Sequence, residues 1–228
     1  MSTILFSYIK KPVYISENAP MKFIVFVGTL MLFYLISIPS SVVIVILQMF
    51  NTLPDSSLNS MGNAVNTILF VVILGPILEE LIFRASLRIS RLYFSICSSV
   101  SLIAFLKLFF LGSYSNLIYL FFIPASLLLF FIFSYKKRLF SSIERFWHKN
   151  FEVLFYTSSV LFGMMHLLNY EDIHWWMIII SPLLTLPYII MGLFLGFIRM
   201  NYGFFYAVVF HVVINTIGSV PILVKLLL

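Results

Sequence analysis

Glu79, Glu80 and Arg84 stand together in PILEELIFR (residues 76–84), in a stretch with no other charge back to Asn66. On a helix Arg84 reaches Glu80 at i,i+4. Glu79 points about 100° away and has no local partner. An ionisable group near the middle of a membrane helix costs about 2.5–3.5 kcal/mol on insertion scales, so the partner for Glu79 must come from another helix. Two apolar stretches offer one. LFGMMH ends in His166, with Phe162 and Gly163 on the same face, and HVVIN sets His211 and Asn215 at i,i+4 so that they project together. A carboxylate, two imidazoles and an amide are the groups from which a hydrolase is built: a base for water, a ring to orient it and a donor for the oxyanion. Hydrogen-bonded glue between helices is the plainer use of such groups, but Ser or Thr serves that purpose at lower cost. Pro76 cannot bond the carbonyl of Val72 and opens the helix one turn before Glu79. Irregular backbone at membrane depth belongs beside a protein-lined cavity.

The elements that must carry these groups follow from composition. Apolar residues make up 62% of the 228 and charged residues 10%, far from the roughly 45–50% and 25% of soluble domains. Asn116 to Tyr135 carries no charge, and about 20 apolar residues cross the bilayer core as a helix. The expected fold is therefore all-α, a polytopic transmembrane bundle rather than a barrel. Its seven spans fall at roughly 22–50, 66–89, 92–112, 116–135, 151–170, 177–199 and 203–226. The first is too long for a signal-peptide core and reads as a retained helix. The chain reads as one integral-membrane domain over 1–228 without an internal repeat.

With the N-terminus cytoplasmic, all of the 14 Lys and Arg residues except Lys107 and Lys225 fall on the inside, while Asp55, Glu171 and Asp172 fall outside. The net charge of +6 then faces anionic lipid. No motif points to nucleic acid. Cys97 reads as a buried, inert thiol, and Lys107 as a snorkelling or inward-facing side chain. RFWHKN (145–150) reads as an interfacial segment, with His148, like His174, a surface histidine. Among 26 Phe residues, Phe83 and Phe162 read as packing.

Taken in order, EELIFR, FGMMH and HVVIN match the EExxxR, FxxxH and HxxxN signatures. Over about 66–226 the chain resembles the CAAX-protease and bacteriocin-processing family (CPBP, Abi-type) of glutamic-type intramembrane proteases. The resemblance implies a bundle with a cavity that admits water and peptide. It implies that Glu79 and His166 activate water, that His211 and Asn215 stabilise the oxyanion, and that Glu80 and Arg84 support the site, Arg84 by holding Glu80. One departure stands out: two additional spans and a basic loop separate Glu79 from His166, as an inserted hairpin over about 92–150. No cofactor is expected; the alternative is a zinc site of Glu79, His166 and His211, although HExxH is absent and Asn215 is a poor fourth ligand. The expected partners are a peptide or membrane-protein substrate and the lipid bilayer, and the expected location is the cell membrane, multi-pass. Substrate identity, its lipidation and the oligomeric state stay open. A catalytically silent scaffold or bacteriocin-immunity protein is the second reading, and a proton-coupled transporter the third. An aspartyl protease is excluded because Asp55 and Asp172, the two aspartates, both fall in loops, and no serine element of the rhomboid kind is present.

Overall fold

The computed structural model describes residues 2–50, 52–54, 68–110, 124, 126–133 and 135–220. Among the described residues it is all helical, as expected, with no strand element. The expectations for Asp55 and Lys225, most of the span over 116–135 and the side chain of Lys107 lie outside the described residues.

The helices are α1 (Ser2–Lys10), α2 (Phe23–Met49), α3 (Gly75–Phe83), α4 (Arg91–Phe110), α5 (Lys137–Lys149), α6 (Phe151–Met165), α7 (Trp175–Ile179), α8 (Ser181–Asn201) and α9 (Phe204–Gly218). Among the described residues, three segments are long and apolar enough to cross a membrane: Phe23–Met49, Phe151–Asn169 and Ser181–Asn201. Phe204–Gly218 is apolar but shorter. The stretch expected over 177–199 is broken: α7 ends at Ile179 and α8 restarts at Ser181. Pro182 in the first turn of α8 explains the break, since its missing N–H belongs where no helical bond is made.

Burial ranks the helices. In its most apolar window α8 is 61% buried and α2 only 17%, which makes α8 the axis of the bundle and α2 a peripheral helix. The buried residues of α2, Thr29, Phe33, Ser37 and Ser40, form a single stripe, and Phe33 sets its ring edge-on to Phe194 and Phe210.

Association in lipid gains nothing from hiding apolar surface, so it depends on how closely backbones approach. Small residues let α6 and α8 do so. A Cβ on Gly163 would lie 2.3 Å from Ile189 Cγ1 and 3.0 Å from its backbone nitrogen. A Cβ on Gly192 would lie 3.0 Å from Ser159 Cα.

Two peripheral helices frame this pair. The N-terminal helix α1, which the apolar pattern does not announce, docks through buried Leu5 and Tyr8, the Tyr8 ring meeting Phe155 and Phe197 edge-on. A nine-residue helix is marginal alone, and packing holds it. Helix α5 contains the interfacial segment expected over 145–150 and extends it back to Lys137. Its buried residue is Phe140, while its Lys and Arg side chains are exposed. His148 is exposed, as expected, and stacks on Tyr14. Cys97 is buried, and its thiol donates weakly to the carbonyl of Ile82, tying α4 to α3.

Gly163→Val places three carbons against Ile189 and is expected to destabilise the bundle by about 1–3 kcal/mol. The unfolding midpoint in detergent checks this; an unchanged midpoint would mean that α6 and α8 are not held at this spacing.

Candidate active site

The site begins with an irregularity in the backbone. Residues Phe70–Leu74 form a π-helical turn leading into α3, and the N–H of Gly75 donates to the carbonyl of Phe70, five residues back. In that register the next bond would run from residue 76 to Val71. Residue 76 is proline and has no N–H, so Val71, rather than the Val72 expected from an ordinary α-helical register, needs another donor. Asn215 supplies it, its side-chain amide donating to the Val71 carbonyl at 2.9 Å. One N–H of the amide is thereby committed to holding α3 against α9.

One turn further on, α3 presents its two carboxylates to α9. His211 Nδ1–H donates to Glu80 Oε1 at 3.0 Å, and its Nε2 lies 3.6 Å from Glu79 Oε2. The partner that Glu79 lacks on its own helix thus comes from the last helix described. The same ring also binds Glu80, which the spacing does not foretell. His211 and Glu80 have no exposed side-chain surface, whereas the Glu79 side chain is 34% exposed. Glu79 is therefore the reachable carboxylate of the pair.

Arg84 supports Glu80 as expected, at 3.8 Å from Oε1, with both side chains fully buried. That separation is an ion pair without a hydrogen bond. The guanidinium lies over the ring of Phe162, 3.8 Å from its centroid, and a cation on an aromatic face recovers part of what desolvation costs. Gly192 leaves room for it, since a Cβ there would stand 3.1 Å from an Arg84 terminal nitrogen.

Phe162, read from the sequence as packing alone, is the surface against which three motif side chains are placed. Besides Arg84 it meets His166 edge-on at 4.8 Å and His211 at 5.7 Å between centroids. His166 caps the end of α6, where the chain tightens into a 3-10 turn (His166–Asn169). Its Nδ1–H donates to the Phe162 carbonyl at 2.9 Å, and its ring stacks on Tyr188 at 4.0 Å. That bond fixes the tautomer and leaves Nε2 as an acceptor.

A further residue emerges that spacing does not reveal. Arg199, counted from the sequence among the cytoplasmic bases, is buried, and its Nε and a terminal nitrogen donate to the carbonyls of Arg84 and Ala85 at 3.1 and 3.4 Å. These carbonyls stand just past the last residue of α3, where a helix carries a partial negative charge; that of Arg84 also accepts from the N–H of Leu87 at 3.2 Å. Arg199 clamps α3 at one end and Asn215 at the other. The only available signal is a basic residue in the last turn of α8, which reads equally well as the end of a span.

Glu79 Oε2, Glu80 Oε2, His211 Nε2 and all three Arg84 nitrogens are buried without a hydrogen-bond partner. Such atoms are few in native proteins, and here they gather at one point, as in a site prepared for a reactant. No group of three His, Cys, Asp or Glu side chains among the described residues is arranged to hold a metal ion.

A family model described as type II CAAX prenyl endopeptidase Rce1-like matches residues 61–217, which include every motif residue above. Comparisons with curated proteins and with solved structures find no match.

Asn215→Leu is expected to leave the Val71 carbonyl unsatisfied and to lower stability by about 1–3 kcal/mol. His211→Ala, which strands a buried Glu80 charge, is expected to cost about 3–5 kcal/mol. Thermal or denaturant unfolding in detergent checks the order of the two.

Proposed function

This chain belongs to the Rce1-like family of type II CAAX prenyl endopeptidases, and from that membership we propose that Glu79 is the general base of a metal-independent intramembrane protease. The chain is a protease of an integral-membrane kind, and a peptide or protein is its substrate class. The observation that carries the finer assignment is the unequal treatment of the two glutamates. Glu80 is enclosed and bonded to His211, whereas Glu79 is 34% exposed and keeps an unpartnered oxygen.

In the proposed reaction a water molecule donates one hydrogen to Glu79 and the other to Nε2 of His166, which its bond to Phe162 leaves as an acceptor. Glu79 takes the proton as the water oxygen bonds to the scissile carbonyl carbon. Negative charge leaves Glu79 and appears on the carbonyl oxygen. His211 stays bonded to Glu80 through Nδ1, and we assign its Nε2 edge, beside Glu79, to the new oxyanion. The second N–H of Asn215 is the other donor we assign to it. Collapse breaks the C–N bond and Glu79 returns its proton to the departing amine; the second water proton, still on the new carboxyl group, then passes to the amine, leaving a carboxylate and an ammonium. Glu80, Arg84 and Arg199 touch no substrate in this scheme; they fix the helix that carries Glu79. The membrane we propose is the cell membrane, with the basic helix α5 on its cytoplasmic face.

The test is cleavage of a peptide library by the full chain in nanodiscs, for wild type, Glu79→Gln, His166→Ala and His211→Ala, each with and without a chelator. Wild-type cleavage that survives chelation and falls by about 10²–10⁴-fold in Glu79→Gln and His166→Ala is expected. Loss on chelation with recovery on adding zinc would replace the glutamate mechanism by a metal one. Because His211→Ala also loses stability, Glu79→Gln is the decisive variant; full activity in it would remove Glu79 from the chemistry.

A further inference from the structure

A cavity of about 390 Å³ lies between α3, α4, α5 and α6. Its long wall is one face of α6, where Leu154, Ser158, Leu161 and Met165 follow at i, i+4, i+7 and i+11. At 1.5 Å per residue this wall runs about 16 Å. Opposite stand Ile82 and Leu87, and Trp147 of α5 closes the end nearest the start of α6. None of the motif carboxylates, imidazoles or amides lines it. Leu161 and Met165 are 52% and 41% exposed, so the cavity opens sideways along α6. In a bilayer that edge meets hydrocarbon, and a lipid chain reaches it without passing Glu79.

The closed end is different in character. The indole N–H of Trp147 is buried there without a hydrogen-bond partner, whereas a buried indole normally finds one. Trp147 packs on Phe94, and three residues before Phe94 stands exposed Arg91, whose guanidinium lies over Phe140 at 5.8 Å. Helix α5 adds exposed Lys137, Arg138, Arg145 and Lys149 against one acid, Glu144. An apolar groove about 16 Å long, an indole N–H without a partner at the end beside α5 and exposed cations on that helix and at Arg91 match the three parts of one molecule.

We propose that this groove holds an acyl chain of an anionic bilayer phospholipid, with the ester carbonyl accepting from Trp147 Nε1–H and the phosphate facing Arg91 and the bases of α5. The lipid braces α5 and α6 against the outer side of α3, the helix that carries the glutamates. A zwitterionic lipid fits the groove but not the bases, so headgroup selectivity is the signature.

The test is native mass spectrometry of the full chain released from phosphatidylcholine nanodiscs containing a minor share of phosphatidylglycerol. Wild type is expected to retain phosphatidylglycerol in preference to phosphatidylcholine. Leu161→Trp, which fills the groove, is expected to lose the retained lipid, and Arg91→Gln to lower the preference about fivefold, the equivalent of one interfacial base. Val153→Trp, at a lipid-exposed position of α6 outside the groove, is expected to behave as wild type. Absence of retained lipid in wild type, equal retention of the two headgroups, or retention unchanged in both Leu161→Trp and Arg91→Gln would overturn the proposal. Displacement of the lipid by a farnesylated peptide would also overturn it, by giving the groove to the substrate's own tail. Arg91 is exposed, so its variant decides the matter if Leu161→Trp fails to fold.

Discussion

A carboxylate removed from water needs a partner that cannot leave, and the hydrogen bond from His211 to Glu80 is that partner. Because Glu80 holds the Nδ1 side, the imidazole cannot turn, and its other nitrogen is directed at Glu79. The rest of the bundle follows from keeping this arrangement dry and rigid. Arg84 brings a positive charge, which needs an aromatic face, and Phe162 supplies it. The guanidinium then needs space between α6 and α8, and Gly192 supplies that. Close backbone packing and a buried charge cluster are thus one solution rather than two, since the small residues that let the helices meet also make room for the cation.

Much of this was legible in the sequence, for a reason that can be stated residue by residue. Helical spacing says which side chains share a face, and an unpaired Glu79 in hydrocarbon must find its partner elsewhere; His211 is that partner. Spacing does not give the rotation of a ring set between two helices, so His211 binding both Glu79 and Glu80 was hidden. Pro76 announced a freed carbonyl but not which one, because the π-turn shifts the register by one residue, from Val72 to Val71. Arg199 looks like the end of a span until the carbonyls of Arg84 and Ala85, just past α3, are placed beside it. Phe162 was lost among 26 phenylalanines, for composition cannot tell a hub from filler.

The segment expected as an insertion, about 92–150, is used unevenly. Among the described residues it supplies Cys97 against the Ile82 carbonyl, Phe94 against Phe133 and Trp147, and the wall of the groove beside α6. Among the described residues it supplies none of the side chains bonded or ion-paired to Glu79, Glu80 or His211. The motif side chains and Arg199 stand on, or cap, α3, α6, α8 and α9.

The separation of Glu80 from His211 by 131 residues also has a meaning in time. A ribosome adding about 5–20 residues per second makes the helix bearing both glutamates roughly ten seconds before the histidine that faces them. Arg199 and Asn215, which clamp the two ends of that helix, come equally late. During that interval the nascent chain carries two carboxylates with only Arg84 to answer them, so the glutamate helix has reason to linger in the insertion machinery, or at the aqueous boundary, until the last helices arrive. The cluster of Glu79, Glu80 and His211 cannot exist in a partly made chain, and under the proposed mechanism a growing protease is silent.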